Sequence, residues 1–163
     1  MNKFPKMMRL TGVETLTLRV VNENDLENLC HWKNEQREFF FHKQIITPAH
    51  QRAWFVEFRT RNYDYMFVVD LNDKAIGCMG IRLLDEEWDI YNVILGVAEC
   101  GKKGYMGKAF HVMLNYAQTV NKCPITLNVL KANPAVAWYI KNGFVVTAEH
   151  IDYYSMIYKS NNI

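Results

Sequence analysis

Residues 100–107 read Cys100-Gly101-Lys102-Lys103-Gly104-Tyr105-Met106-Gly107, with three glycines and two lysines. An apolar run, residues 90–97, precedes them. Met106, Phe110, Met113, Ala117 and Val120 follow at helical spacing. The turn therefore sits where a strand hands over to a helix. Such a turn presents bare backbone N–H groups, the positive end of a helix dipole and two ammonium groups to one point in space. That is chemistry for holding a phosphate-bearing ligand. A plain glycine-rich turn has the same composition, so the surrounding elements must decide between the two.

Those elements are readable in order. Residues 16–21 form a β-branched, apolar strand. Asn24 is the expected cap of a helix from Asp25 that carries Leu26, Leu29, Cys30 and Trp32. Thr47-Pro48 is a hydroxyl cap followed by proline in the first turn, opening a helix with Trp54, Phe55 and Phe58. Residues 65–70 and 75–84 are apolar runs joined by Leu71-Asn72-Asp73-Lys74, which is hairpin chemistry. A charged break over residues 85–89 leads to the strand before the glycine-lysine turn. After the long helix comes a strand at 125–130, and Asn133-Pro134 starts a short helix that ends at Asn142-Gly143. Residues 144–147 and 153–158 close as an antiparallel pair. The order β-α-α-β-β-β-α-β-α-β-β, with hairpins in the middle and at the end, predicts an α/β fold. Its sheet is mixed and mostly antiparallel, with helices on both faces.

Size and composition limit the function classes. At 163 residues the chain is expected to be one domain, residues 1–163, with a substantial core. Half the residues are hydrophobic and 22% are charged. A net charge of +2 argues against bulk nucleic-acid binding. No apolar run is long enough for a membrane helix. The first ten residues lack a secretory pattern. Cys30, Cys78, Cys100 and Cys123 are scattered without a CxxC pair, and the histidines do not join them at ligand spacing. Free thiols, no metal and a cytoplasmic location are expected.

Two segments resemble the GNAT superfamily of coenzyme A-dependent N-acyltransferases. The residues from Gly101 to Phe110 are similar to its pyrophosphate loop, Arg/Gln-x-x-Gly-x-Gly/Ala. The run Asn133-Pro134-Ala135-Val136-Ala137-Trp138-Tyr139-Ile140-Lys141-Asn142-Gly143-Phe144 is similar to its pattern of Asn, Ala and Tyr ending in Gly-Phe. Gly101 departs from Arg or Gln, and Met106 from Gly or Ala. Asn133 to Tyr139 is one residue shorter than the commonest spacing. Charge for a diphosphate then falls to Lys102 and Lys103 as point cations.

The resemblance implies a GNAT-like sheet with splayed strands at the cofactor site and acetyl-coenzyme A as acyl donor. It places Leu95, Gly96 and Val97 along the pantetheine through their backbone, as an added strand would be. It places the N–H groups of Lys103, Gly104, Tyr105, Met106 and Gly107 on the pyrophosphate, with Asn133 nearby. A primary amine attacks the thioester directly, and Tyr139 protonates the leaving thiolate. A carboxylate on the strand before the loop acts as base: Asp89 and Glu87 lead, with Glu86, Tyr91, His42 and His50 as other candidates.

For the acceptor, Trp32-Lys33-Asn34, Arg37, Thr47-Pro48-Ala49-His50 and Trp54-Phe55 are similar to a GNAT subgroup acting on nucleotide-linked amino sugars. Trp32, Asn34, Arg37 and His50 are the expected substrate-binding residues. The same aromatic residues at helical spacing also suit a plain core. The alternatives are acetylation of protein N-termini, including ribosomal ones, and a non-catalytic acyl-coenzyme A sensor. The partners expected are a small amine or a peptide N-terminus, with a homodimer allowed and neither nucleic acid nor membrane involved.

Overall fold

The computed structural model describes residues 4–10 and 15–160. The chain runs β1 (Met7–Arg9), β2 (Leu16–Val20), α1 (Leu26–Glu35), α2 (Pro48–Phe58), β3 (Asp64–Leu71), β4 (Lys74–Leu84) and β5 (Glu87–Leu95). It continues with α3 (Tyr105–Val120), β6 (Ile125–Leu130), α4 (Ala135–Lys141), β7 (Phe144–Glu149) and β8 (Tyr153–Tyr158). One sheet holds the strands in the order β1-β2-β3-β4-β5-β6-β8-β7. Every neighbouring pair is antiparallel except β5 and β6. The mixed, mostly antiparallel sheet expected from the element order is present.

Alternation along the central strands sorts side chains between the two faces. On one face Phe67, Val69, Met79 and Ile81 pack with Ala109, Phe110, Met113 and Leu114 of α3. On the other, Met66, Val68, Cys78 and Ile94 pack with Leu29 and Trp32 of α1 and with Phe55 and Phe58 of α2.

Three local readings change. Strand β1 was not anticipated; it pairs with β2 from Met7 opposite Arg19 to Arg9 opposite Thr17. The cap before α1 is Asn22, not Asn24. Its side chain accepts from the Asn24 N–H, while Asp25 accepts from the Asn22 N–H, a reciprocal box around a short 3-10 turn. The charged break shrinks to Asp85-Glu86, both at positive φ, so β5 begins at Glu87 rather than Ile90. Leu84 faces Glu87 across this two-residue turn, as Leu71 faces Lys74 across Asn72-Asp73.

The feature that makes a site is the seam between β5 and β6. Only Trp88 with Ile125 and Asp89 with Thr126 are paired. Beyond them the strands part. Asn92 has φ +48°, and the β4–β5 register shifts beside it. This bulge bends β5 away from β6.

Arg19 ties the helical layer to the sheet. From β2 it reaches both Asp25 oxygens at 2.8 and 2.7 Å and the Asp70 carboxylate of β3 at 2.6 Å. Both carboxylates sit in mostly buried residues, and their bonds hold the guanidinium well above its usual range. Arg19→Met is expected to leave the two carboxylates uncompensated and to cost about 3 kcal/mol. A shift in the urea midpoint measures this; an unchanged midpoint would show that Arg19 is not the tie.

Candidate functional site

The parting of β5 and β6 opens two clefts that share Phe40 and Asn133. The first, about 910 Å³, runs from Val93 and Leu95 past the 98–107 turn to α4. The second, about 760 Å³, lies on the side of the helical layer formed by the 39–42 segment, with Arg61, Arg82, Asp89 and Tyr91 among its walls.

The glycine-lysine turn is built as its composition suggests. Gly104 has φ +80°, a conformation that favours glycine, and a Cβ there would meet nothing within 4 Å. Lys102 is also left-handed, with φ +60°. The first backbone bond of α3 runs from the Lys108 N–H to the Gly104 carbonyl at 3.1 Å. The N–H groups of Tyr105, Met106 and Gly107 therefore belong to the open first turn of the helix. These residues line the first cleft together with Lys102 and Gly104. Lys103 does not line it; Lys141, at the end of α4, does. At Gly101 a Cβ would come within 3.1 Å of the Ala98 carbonyl oxygen and a Leu95 methyl, so the local packing leaves little room for a long side chain. One ammonium expected from sequence is thus replaced by one that arrives from a different helix. A helix start with open N–H groups, a left-handed glycine and two flanking lysines fits a diphosphate.

Leu95, Gly96 and Val97 require a correction. The strand stops at Leu95 rather than running to Val97. The Gly96 and Val97 N–H groups both donate to the Ile76 carbonyl, at 2.8 and 3.1 Å, and the Leu95 carbonyl accepts from Gln36 at 2.8 Å. The chain turns back onto Ile76 here, so those two N–H groups are not open to a ligand. Of the three residues, only Leu95 lines the cleft.

Tyr139 lines the second cleft although only 6% of it is exposed. The rings of Phe110, Trp138 and Phe144 surround it. Burial pushes its phenol well above the usual range, so it stays protonated and able to donate. Its hydroxyl makes no hydrogen bond to a described residue. Among the described residues no buried side-chain oxygen or nitrogen lacks a partner, so that hydroxyl keeps accessible surface beside the cleft its residue lines. Asn133 lines both clefts, but its amide is engaged: Oδ1 accepts from the Ala135 N–H at 2.9 Å, and Nδ2 donates to the Phe39 carbonyl at 3.3 Å. It bonds the first residue of α4 and ties that turn to the aromatic 39–41 segment.

Among the candidate bases, Asp89 lines the second cleft and Glu87 does not. Glu87 is exposed at the start of β5, on the far side of the paired residues from the gap. Burial raises the Asp89 pKa, opposed by its 2.8 Å bond from Arg82. Tyr91 donates to Asp64, which also pairs with Arg61 at 3.0 Å. Burial, with that nearby carboxylate, drives the Tyr91 phenol far above its ordinary range.

The acceptor residues read from sequence separate. Trp32 is core: only 4% exposed, with its ring against Gly96, where any Cβ would clash at 2.1 Å. Asn34 clamps the 36–46 loop through Ile46, accepting from its N–H at 2.7 Å and donating to its carbonyl at 2.8 Å. Arg37 donates to the Asn34 carbonyl at 3.1 Å and lines neither cleft. His50 borders a smaller chamber behind the second cleft. Phe40, Arg61, Arg82, Tyr153, Trp138 and Lys141 do line the clefts and were missed. The run Phe39-Phe40-Phe41 was the one local signal available. The arginines gave none, because only the sheet brings them together.

Lys33 stands between chamber and second cleft. Its Nζ donates to Asn92 Oδ1 at 2.5 Å and lies 3.5 Å from the centre of the Phe40 ring. Burial lowers its pKa to about 8. The folded pKa lies below the unfolded value, so at neutral pH the buried charge opposes folding. The opposition is relieved as pH rises from about 8 toward the unfolded value. Lys33→Met is expected to raise the melting temperature by about 5 °C at pH 7. The difference from wild type should shrink above pH 8. Melting curves across pH 6–10 check this, and a fall in melting temperature at pH 7 would refute it.

Among the described residues, no group of three or more His, Cys, Asp or Glu is arranged to hold a metal, and no helix is long and apolar enough to cross a membrane. The family profile described as acetyltransferase (GNAT) domain matches residues 15–145. No curated protein matches the chain. Spermidine N-acetyltransferase from Vibrio cholerae, solved with CoA and spermine, is similar over 87% of this chain and 94% of its own, at 22% identity and TM-score 0.75. FdhC, a nucleotide-linked sugar GNAT solved in its apo form, is similar over 89% and 86% at 20% identity and TM-score 0.74. PaiA N-acetyltransferase from Thermoplasma acidophilum, solved with coenzyme A, is similar over 89% and 99% at 16% identity and TM-score 0.70. At these identities the three speak for the fold.

Proposed function

This chain belongs to the GNAT acetyltransferase family, and from that premise we propose that it acetylates an amine on an anionic, ring-bearing acceptor such as a nucleotide-linked amino sugar. The observation that carries the acceptor reading is the lining of the second cleft. Arg61 and Arg82 in its wall are held by Asp64 and Asp89, Lys33 has no carboxylate partner among the described residues, and Phe39, Phe40, Phe41, Trp54 and Tyr153 supply ring surfaces. Cations and aromatic faces suit a diphosphate and a base or sugar ring. The ammonium of Lys33, without a carboxylate beside it, disfavours a polycation such as the spermine in the Vibrio cholerae enzyme's structure. A cationic peptide N-terminus is disfavoured for the same reason.

Acetyl-coenzyme A supplies the acetyl thioester. Lys102, Lys141 and the open first turn of α3 would hold its diphosphate. Asp89 would take the proton that the amine loses as its nitrogen bonds to the acetyl carbon; of the two leading carboxylates it is the one that lines the cleft. Tyr139, kept neutral by burial, would give its proton to the sulfur as the carbon–sulfur bond breaks. Every proton is then accounted for: one moves from amine to Asp89 and one from Tyr139 to the thiol. The residues return to their starting states by exchange with solvent.

Free-thiol release from acetyl-coenzyme A tests the proposal. Release should depend on added amine and be greatest with nucleotide-linked amino sugars. Preference for spermidine would overturn the acceptor reading, and cofactor binding without release across amine classes would favour the sensor. Tyr139→Phe is expected to lower kcat by about 100-fold while leaving acetyl-coenzyme A affinity within about twofold. Lys102→Asn, which keeps a side chain tolerant of the left-handed backbone, combined with Lys141→Ala should weaken that affinity at least about tenfold. Unchanged affinity would mean that the backbone N–H groups suffice.

A further inference from the structure

Behind the second cleft lies a chamber of about 220 Å³ between α1, α2 and the sheet. At about 30 Å³ per water molecule it has room for several waters or one small functional group. Its walls are mainly apolar, from Leu29, Met66 and Ile94. Two polar side chains in it are more than nine-tenths buried and lack the partners such groups need. One is Lys33, 9% exposed, which gives a single hydrogen bond, to a neutral amide. The other is Gln51, 8% exposed, whose carboxamide bonds to no described residue. Among the described residues no fully buried side-chain nitrogen or oxygen lacks a partner, so its amide atoms keep accessible surface, and Gln51 lines the chamber.

The contrast with the neighbouring cations is informative. Arg61 and Arg82 each have their own carboxylate, at 3.0 and 2.8 Å. Lys33 has none among the described residues. The acidic group whose field acts on it, the Cys78 thiol, is pushed up to about 12 by burial and stays neutral. His50 is the other titratable group of the chamber. A buried ammonium without a counter-ion is costly to keep, yet it is placed where chamber and cleft meet.

We propose that this chamber binds a carboxylate carried by the amine acceptor, held by Lys33 and Gln51. A monoanion matches the single ammonium, whereas a phosphate would bring more charge than one lysine and apolar walls can balance. Lys33, Ile46, Trp54 and Asn92 line both chamber and cleft, so a short arm on the acceptor can pass between them. The proposal rests on the catalytic reading only in taking the carboxylate to belong to the acceptor.

Binding is tested without turnover, using the purified protein labelled with 13C at its methionine methyls. The Met66 methyl, in the chamber wall, should shift saturably with butyrate and not with propylammonium. Lys33→Met should weaken butyrate binding at least tenfold, Gln51→Leu should weaken it less, and Lys33→Arg should retain it. An unmoved Met66 signal, or equal binding by Lys33→Met, would overturn the proposal; stronger binding of inorganic phosphate would overturn the choice of carboxylate. In thiol release, amines bearing a carboxylate should outperform their uncharged counterparts in kcat/KM with wild type but not with Lys33→Met. Equal rates with wild type would overturn the link to the acceptor. If no amine supports release, the catalytic reading fails, and the butyrate result alone decides what the chamber binds.

Discussion

The site depends on one interruption of backbone pairing. Strands β5 and β6 hold each other through two residue pairs and then separate at the Asn92 bulge. A sheet normally closes such a seam, because unpaired N–H and C=O groups are costly when buried. Here the opening is flanked by rigid pairing: β5 is bonded to β4 along its length, and β6 to β8. The parting is thus confined to one seam. The glycine-lysine turn, the buried phenol on α4 and the aromatic 39–41 segment all gather around it.

Among the described residues, charge next to the core is managed by a repeated device, and Lys33 departs from it. Arg19 with Asp25 and Asp70, Arg61 with Asp64, and Arg82 with Asp89 each place a guanidinium against carboxylate. The first joins the helical layer to the sheet; the other two hold the wall of the second cleft. Lys33 breaks the pattern. It is buried as Asp70 is, but among the described residues its ammonium meets an amide and a ring. The exception sits at the junction of the cavities, where a ligand can complete what the fold leaves open.

Much of the frame was legible locally because its causes are local. The Thr47-Pro48 start works within one turn: the Thr47 hydroxyl accepts from the His50 N–H at 3.1 Å. The Asn72-Asp73 turn and the Gly143 helix stop need only short-range backbone geometry. Legibility failed where a residue's role depended on distant chain. Trp32 and Asn34 look like binding residues in a motif, but one fills the core under Gly96 and the other clamps Ile46. Glu87 and Asp89, two residues apart, differ in access to the cleft because the β5–β6 pairing ends between Glu87's end of the strand and the gap.

The sequence by itself determined the elements other than β1, their order, the glycine-lysine turn and the tyrosine helix that together mark the family, because each is a matter of spacing, capping or backbone conformation over a few residues. The tertiary structure alone decided which lysines flank the turn, which carboxylate reaches the cleft and which cation is left unpaired. Those outcomes follow from strand register and helix packing between residues as distant as Lys33 and Asn92, or Asn133 and Phe39. A hydrogen bond or an unpaired charge is a property of two or more side chains in space, so no local pattern can specify it.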